Sequence, residues 1–383
     1  MINYENTSCS IFLKLLPFLL ILYSADLVAS CASHCGGVEI PYPFGIGKGC
    51  YLEKSYEIQC RNTTSGRQQV PFLSAIGKEV VEIYLPIVEN SVTYESSKGI
   101  HSLTFGLVRV KTPITSAGCL AGGEESIESI MNFTGTPFFI DDSNTLIGVG
   151  CNAKVSLTHI KPNMVGCELT CNTTEDHQPS SNNNNIPFLD KTGCSNKTLS
   201  YRYQEECTGN RPEETDCNGN GCCEVNLLKD PQQAIGIRID GNSTTRQEHC
   251  RVAFITDEVY TLSNATKPRE LFSKEYATFS LSWVIQTKNH SFLSSLRCNN
   301  TTVYGQTSYS VGPQMNCICD QSTISEITYA HCGCIRGFKG NAYVPDGCQD
   351  INECEDIPCG ERNMCVNTQG GYHCVGDKKN QYS

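Results

Sequence analysis

Cysteine content constrains the fold of this chain more than any other feature of its sequence. Twenty-five of the 383 residues are cysteine. In a reducing compartment such a density requires many metal sites, whereas in an oxidising compartment it is typical of a disulfide framework. The chain must therefore fold around metals or around covalent cross-links, and its first residues distinguish the two.

The amino terminus has the pattern of a secretory leader. Lys14 precedes an apolar run at 15–23, and the small residues at 28–30 occupy the positions that a signal peptidase reads. We predict a signal peptide at residues 1–30, whose cleavage removes Cys9 and leaves twenty-four of the twenty-five cysteines, an even number. We therefore expect a mainly β, disulfide-rich, multi-module secreted protein made of small cysteine-stapled domains.

Sequons for N-linked glycosylation agree with export. Nine asparagines stand two residues before Ser or Thr with no proline between them. Surface glycans are expected on a subset of these positions. The nine are Asn62, Asn132, Asn172, Asn196, Asn242, Asn264, Asn289, Asn299 and Asn300.

Charge and hydropathy exclude two classes of partner. The formal net charge of -11 at pH 7 disfavours binding to nucleic acids or to anionic membranes by bulk electrostatics. After the leader, the strongest apolar run, at 279–285, is far shorter than the roughly 20 residues of a membrane helix. We expect the mature chain to be secreted.

A distinctive motif follows the leader. Residues 31–50 contain Cys-Gly-Gly-Val-Glu-Ile-Pro-Tyr-Pro-Phe-Gly and then Gly-Lys-Gly-Cys, and a further cysteine follows at Cys60. Prolines fix extended backbone and glycines permit tight turns, so the motif predicts a disulfide-anchored loop and strand. The motif resembles the start of the galacturonan-binding domain of plant wall-associated kinases and their kinase-like relatives.

Alternating and apolar segments downstream predict strands. One is expected at 79–88 and another at 101–111, with Leu103, Phe105 and Leu107 on one face of the second.

A hairpin is predicted further along the chain. The aromatic segment 137–140 and the apolar segment 146–151 flank turn-forming residues at 141–144, and the family has similar segments. The segment 276–285 is expected to be a core strand or an amphipathic segment in which Trp283, the one tryptophan of the chain, is packed.

The resemblance covers nearly the whole mature chain and implies four regions. These are a galacturonan-binding-like cysteine-rich domain at 31–160, a cysteine-rich middle region at 161–297, a partial EGF-like region at 298–349 and a truncated calcium-binding EGF-like module at 350–383.

Two cysteine patterns leave room for interpretation. The adjacent Cys222 and Cys223 are predicted to cross-link two different strands, because disulfide geometry disfavours a bond between neighbours. The Cys-x-Cys pairs at 317–319 and 332–334, with Gly-Phe and a distant cysteine after them, resemble the second half of an EGF module. Paired motifs of this type also occur in zinc sites, which is the alternative.

Oxygen ligands lie next to the last cysteines. Residues 350–354 read Asp-Ile-Asn-Glu-Cys, and residues 365–374 begin with Cys-Val-Asn and end with Tyr-His-Cys. Calcium suits such a set, because it takes about six to eight oxygens in irregular geometry. The spacing resembles the calcium-binding EGF-like module, here without its last hairpin.

This second resemblance implies an architectural Ca²⁺ ion that stiffens the hinge before the module. The alternative is that the acidic residues are ordinary solvated linker charges. The implied disulfides are Cys354–Cys365 and Cys359–Cys374. The implied side-chain ligands are Asp350, Glu353 and Asn367, and the implied carbonyl ligands are Ile351, Thr368 and Gly371.

No sequence signature indicates an enzyme. The resemblance implies a parent architecture that continues into a membrane helix and a serine/threonine kinase, but the kinase motifs His-Arg-Asp and Asp-Phe-Gly do not occur in this sequence. The glycine-rich run at 45–49 is not expected to bind phosphate, because cysteines flank it in an exported chain. We expect no catalytic activity.

The leading functional hypothesis is an extracellular region that binds pectic homogalacturonan. The resemblance implies a location outside the cell or in the cell wall, with membrane association only if the chain is an incomplete form of a receptor. A polyanion requires basic side chains, aromatic platforms or calcium bridges. The alternative for each candidate residue is a disulfide loop that packs on itself. The candidates are Tyr42, Phe44, Lys48, Tyr51, Lys54, Arg61 and Arg67.

A second functional hypothesis assigns the chain to protein interaction. In this case the EGF-like end binds other receptor ectodomains, and the chain acts as a soluble decoy or co-receptor. The sequence does not separate the two hypotheses.

Overall fold

The structure is a computed structural model. It describes residues 31–63, 66, 68–91, 100–120, 128–160, 165–171, 217, 219–227, 231–241, 250–261, 265, 267–300, 316–324, 327–356, 358–360 and 363–376. The predicted signal peptide lies outside these residues, as do Arg67 and the sequons at Asn172, Asn196, Asn242 and Asn264.

The largest sheet is antiparallel and has six strands. Within β8 (Gly106–Pro113), buried Val108 and Val110 alternate with Arg109 and Lys111, as expected for a strand with one covered face. The strand order is β11 (Phe138–Ile140), β18 (Tyr276–Trp283), β8, β5 (Lys78–Tyr84), β4 (Gln69–Leu73) and β3 (Ile58–Asn62).

Two four-stranded sheets pack beside it. One has the order β10 (Glu128–Asn132), β16 (Ala234–Gly241), β13 (Ala153–Thr158) and β14 (Gly166–Leu169). The other has the order β15 (Cys222–Asn226), β12 (Thr145–Val149), β17 (Arg251–Thr256) and β9 (Thr115–Ala117). Every residue of β12 is buried, which explains its continuous apolar run.

A further four-stranded sheet has the order β19 (Ile285–Thr287), β22 (Ile327–Cys334), β21 (Cys317–Ile324) and β20 (Asn299–Asn300). Four two-stranded ribbons pair β1 (His34–Cys35) with β2 (Val38–Glu39), β6 (Val88–Ser91) with β7 (Ile100–Leu103), β23 (Phe338–Gly340) with β24 (Cys348–Asp350) and β25 (Asn363–Thr368) with β26 (Gly371–Gly376). The helices are α1 (Pro268–Ser273) and α2 (His290–Leu296), and short 3₁₀ turns span Lys54–Tyr56 and Glu353–Asp356.

An aromatic cluster forms the centre of the core. The Trp283 ring meets Phe44 edge to face, with centroids 5.2 Å apart, and Phe44 meets Tyr56 in the same way at 5.5 Å. The Tyr56 hydroxyl donates to the Val284 carbonyl at 2.7 Å. Gly106 lies opposite Trp283, and a Cβ there would lie 2.3 Å from the indole Cε2. The predicted packing of Trp283 is confirmed, and of the two alternatives for its segment the structure shows the core strand.

The sheets cross the predicted boundary at residue 160. β8 pairs with β18 along its whole length. β12 lies between β15 and β17, and β13 lies between β14 and β16. Residues 31–160 and 161–297 therefore share their sheets, and the boundary between them does not separate two folded units. Local cysteine spacing carried no information about these long-range pairings.

The predicted region 298–349 also joins this structure. β19 pairs with β22, and the buried Tyr343 ring lies 5.5 Å from the Trp283 ring, centroid to centroid. We call residues 31–349 the body and residues 350–376 the terminal module.

The hairpin predicted from 137–140 and 146–151 is wrong. β11 pairs with β18 in the large sheet, whereas β12 pairs with β15 and β17 in another. Asn144, which is fully buried, directs the chain between them. Its Nδ2 donates to the carbonyls of Asp141 and Ser280, and its Oδ1 accepts from the Ser280 N–H. The turn is correctly placed, but it connects two sheets instead of two paired strands.

Eleven disulfides link the described cysteines. Cys222 and Cys223 have separate partners, but only Cys223 cross-links another strand, through Cys167 on β14. Cys222 closes a short loop with Cys217 instead. The zinc alternative for the Cys-x-Cys motifs fails, because all four of these cysteines are in disulfides.

Candidate functional site

The motif at residues 31–50 folds as a loop that is bonded to the edge of the large sheet. Disulfides join Cys31 to Cys50 and Cys35 to Cys60. The Ile58 N–H donates to the Gly45 carbonyl at 2.8 Å. A Cβ at Gly45 would lie 2.0 Å from the Cys50 carbonyl oxygen, so only glycine fits this close approach. The loop is thus held rigidly against β3, the edge strand of the six.

Two of the predicted ligand-binding aromatics belong to the packing of this loop. Phe44 is 1% exposed and lies within the aromatic core, so its prediction as a ligand platform is wrong. The motif around it is spaced for a turn, and sequence alone did not show which ring points inward. Tyr42 is half-buried against Phe292, with ring centroids 6.1 Å apart. Burial, followed by the Glu53 carboxylate, raises the pKa of Tyr42.

A row of polar side chains continues from the loop along β3. Glu57, Gln59 and Arg61 occupy alternate positions and therefore share one side of the strand. The Lys54 Nζ lies 2.6 Å from a Glu57 carboxylate oxygen, and the Tyr51 hydroxyl donates to the other at 3.4 Å. We call these five residues the edge row.

Arg61 lies at one end of the edge row, and its positive charge is the least neutralised in the row. Its Nη2 donates to Gln59 Oε1 at 2.6 Å, and its guanidinium carbon lies 4.4 Å from the centroid of the Phe72 ring on β4. No carboxylate among the described residues forms an ion pair with Arg61. The guanidinium is thus positioned and exposed, with its charge available to an anion.

The Lys54 end is electrostatically different. The hydrogen bond and charge of Glu57 raise the pKa of Lys54, and the hydrogen bond from Lys54 lowers the pKa of Glu57. Lys48 is exposed in the turn before Cys50, between two glycines with φ of 89°. The structure therefore brings Tyr51, Lys54 and Arg61 into one row, while Phe44 lies in the core.

Three residues of the site, Glu57, Gln59 and Phe72, are not among those predicted from the sequence. The alternation from 57 to 61 is visible in the sequence and could have identified the first two. The contact between Arg61 and Phe72 depends on the pairing of β3 with β4.

Some of the predicted calcium ligands lie within hydrogen-bonding distance of one another. Asp350 Oδ2 accepts from Asn367 Nδ2 at 2.8 Å, and Asp350 Oδ1 accepts from the Gly370 N–H at 2.6 Å. The Thr368 hydroxyl donates to the Gly371 carbonyl at 2.9 Å. Asp350 and Asn367 are therefore neighbours, as the resemblance implies. The terminal module also contains the two implied disulfides, Cys354–Cys365 and Cys359–Cys374.

One buried carboxylate oxygen without a hydrogen-bond partner bears on whether the predicted calcium ligands could hold a cation. Glu353 Oε2 is buried and has no hydrogen-bond partner, and a hard cation is the group that such an oxygen suits. No cluster of three His, Cys, Asp or Glu side chains able to hold a metal occurs in the described residues. A calcium ion here would therefore depend on the Asn367 amide and on backbone carbonyls. The residues fit on these terms, provided that Asn367 presents Oδ1 in place of Nδ2.

Three of the predicted glycosylation sites are exposed in the structure, namely Asn62, Asn132 and Asn289. The sequons at Asn299 and Asn300 lie on β20. In the part of the chain that the structure covers, no helix has the length and apolarity to cross a membrane.

Two family profiles match the chain. The profile described as wall-associated receptor kinase galacturonan-binding matches residues 31–88, which contain the loop and the edge row. The profile described as wall-associated kinase matches residues 214–292, which contain β15 to β18. No solved structure matches the chain.

Curated relatives match at high identity. Wall-associated receptor kinase-like 17 of Arabidopsis thaliana is 54% identical over 392 residues, which cover 98% of this chain and 46% of the relative. Wall-associated receptor kinase-like 18 of the same species is 54% identical over 384 residues, with 98% and 47% covered. The chain thus spans about half the length of these relatives. The chain thus contains both domains that these profiles describe, and it is similar to wall-associated receptor kinase-like proteins over 98% of its length.

Proposed function

We propose that the chain binds pectic homogalacturonan at the cell wall and that the edge row is its contact surface. The observation that supports this is the exposed Arg61 guanidinium, held over Phe72 and free of carboxylate partners among the described residues. It lies within the segment that matches the galacturonan-binding profile. The eleven disulfides support the extracellular location that this function requires.

The chemistry of the row suits a uronate chain. A planar guanidinium forms paired hydrogen bonds with a carboxylate, and these charge-assisted bonds are among the stronger ones in proteins. Gln59 and Tyr51 supply neutral hydrogen-bonding groups beside it. Because the whole chain carries a net charge of -11, binding depends on these local cations and weakens as salt rises.

The proposed architecture adds a calcium ion to the terminal module. Asp350, Glu353 and Asn367 would hold it with their side chains, together with the carbonyls of Ile351, Thr368 and Gly371. When bound, the ion supplies a rigid cross-link between the body and the terminal hairpin. The orphaned Glu353 oxygen and the contact between Asp350 and Asn367 support this part of the proposal.

Titration of the full chain with galacturonan oligomers tests the contact surface. Arg61→Gln should weaken binding about tenfold, because a charge-assisted bond to a carboxylate is lost. Arg238→Gln is the matched control, since Arg238 is also exposed on a strand but pairs with Asp240 in a different sheet. Equal effects of the two substitutions, or no saturable binding by the unaltered chain, would overturn the proposal.

A second substitution, measured in the same titration, should change the affinity for galacturonan in the opposite direction. Glu57→Gln removes the carboxylate that engages Lys54 and frees the ammonium for the ligand. Galacturonan binding should therefore become about threefold tighter. A loss of affinity would mean that Glu57 itself contacts the sugar or orders the row.

The co-receptor alternative also has structural support. Met364 and Tyr372 on the terminal module are 64% and 44% exposed, and exposed apolar side chains are suited to protein contacts. This alternative predicts that removal of residues 352–383 abolishes capture of partner ectodomains and leaves galacturonan binding intact. The cut belongs after the body, because β22 and Tyr343 are part of its core.

A further inference from the structure

A cleft separates the large sheet from the hairpin of β21 and β22. Its volume is about 540 Å³, enough for one or two amino-acid side chains or a small ligand. The large sheet contributes Phe139 and Ser282, and the hairpin contributes Asp320, Tyr329 and His331. This cleft is formed by parts of the chain other than the edge row.

An exposed aromatic residue stands at the cleft. Phe105 is 49% exposed, and its ring centroid lies 4.7 Å from that of His331. The sequence prediction placed Phe105 within a strand at 101–111, but the structure ends β7 at Leu103 and begins β8 at Gly106. Phe105 therefore lies in the short connection, where its ring is presented to the cleft.

Among the described residues that line the cleft, the charged side chains are acidic. They are Asp141, Asp142 and Asp320, and none of the described lining residues is a lysine or an arginine. Asp141 is fixed by hydrogen bonds from the hydroxyls of Ser143 and Ser282. Burial lowers the pKa of His331, with Asp320 acting in the opposite direction, so the imidazole adds no positive charge at neutral pH. A galacturonan chain would be repelled here.

Aromatic side chains accompany the carboxylates that line the cleft. Within the described ranges, no cluster of three acidic, His or Cys side chains is close enough to hold a metal. The negative groups are instead distributed around an aromatic lining of Phe105, Phe139 and Tyr329. A cationic group on an apolar stem matches both properties, because aromatic faces and carboxylates attract the same charge.

We propose that this cleft binds an arginine side chain presented by a peptide or protein partner. Arginine is favoured over lysine because its planar guanidinium can stack on an aromatic ring while it donates to a carboxylate. The assignment is independent of galacturonan binding, since it concerns a different surface with the opposite charge preference.

Titration calorimetry of the full chain with short capped peptides tests the proposal. The probe is acetyl-Leu-Arg-Leu-amide, and the comparison peptides carry Gln or Glu in place of Arg. The Arg peptide should bind saturably, the Gln peptide at least about tenfold more weakly and the Glu peptide not at all. Added salt should weaken the Arg peptide.

Two substitutions locate the site. Asp320→Asn should weaken the Arg peptide about fivefold, because it removes an exposed carboxylate of the cleft. Phe105→Ala should weaken it about threefold by removing the exposed ring. Glu168→Gln and Tyr372→Ala are the matched controls, since both residues are exposed and lie on other strands, and they should leave binding unchanged.

Each contrary outcome is recognisable. Equal binding of the Arg and Gln peptides would show that charge is not recognised. Binding of a neutral trisaccharide such as cellotriose, competed by neither peptide, would make the cleft a glycan site. Unchanged binding in both Asp320→Asn and Phe105→Ala would place the peptide elsewhere. Any of these results overturns the proposal, and none of them bears on the galacturonan titration.

Discussion

Buried side chains distinguish the body of the molecule from its terminal module. In the body, β12 is buried throughout, and Trp283, Phe44 and Tyr56 pack at its centre. In β25 and β26, by contrast, no residue is buried. The terminal module is held by two disulfides and by the contacts of Asp350. The same cysteine-rich sequence therefore uses disulfides in two ways, to reinforce an apolar core and to replace one.

The largest effect on stability is expected from truncating a side chain in the core of the body. Trp283→Ala removes a fully buried indole and should lower the free energy of unfolding by about 3–5 kcal/mol. Trp283→Phe is the matched control. It should cost clearly less, because the indole N–H is buried without a hydrogen-bond partner and only part of the volume is lost. Denaturant unfolding of the body measures both, and equal losses would contradict the account.

A buried ion pair gives the next effect. Arg109 Nη2 donates to Asp257 Oδ1 at 3.0 Å, and the Asp257 side chain is 2% exposed. Arg109→Met leaves this carboxylate buried without its cation and should cost about 3 kcal/mol or more. The control Arg238→Met breaks the exposed pair with Asp240 and should stay within about 0.5 kcal/mol. A loss in the control as large as in Arg109→Met would contradict the assignment.

The same pair predicts a pH dependence of the body. Burial raises the pKa of Asp257, but the hydrogen bonds from Arg109 and Ser280 outweigh it, so the pKa lies below its usual value of 3.8. A lowered carboxylate pKa contributes stability that is present above the unfolded value and lost as pH falls through the folded value. Unfolding measured from pH 6 down to about pH 2 should show this loss below about pH 4, and Arg109→Met should reduce it.

Features of the body that depend on local sequence could be predicted, whereas those that depend on contacts between distant parts of the chain could not. The β content, the disulfide framework and the burial of Trp283 follow from local composition and cysteine content. The pairing of β8 with β18 joins residues more than 150 positions apart, and no local pattern encodes it. For this reason the boundary at 160 and the hairpin at 137–151 could not be judged from sequence.

The residues of the candidate site show the same difference between local sequence and long-range contacts. Lys54 and Arg61 were predicted because basic residues near the motif suit a polyanion. Phe44 was misassigned, because the side chain that faces the core is decided by packing against Trp283. Phe72 was not predicted, since its contact with Arg61 arises across two paired strands.

The smallest effect is expected in the terminal module. If calcium binds there with a dissociation constant of about 1 mM, 10 mM calcium stabilises the bound state by about 1.4 kcal/mol. Amide exchange in residues 363–376 should slow accordingly, while exchange in the body stays unchanged. Asp350→Asn should abolish the response, whereas Asp356→Asn, an exposed acid in the adjacent 3₁₀ turn, should retain it. A calcium response of the body alone would contradict the proposed site.

Hydrogen exchange across a denaturant series, read peptide by peptide, tests most directly whether the body is one unit. Peptides from 106–113 and 276–283 should lose protection at the same denaturant concentration, because β8 and β18 share a sheet and a core. Residues 363–376 should lose protection earlier. If instead residues 31–160 unfold as a block separate from residues 231–287, the body is two domains and the account is contradicted.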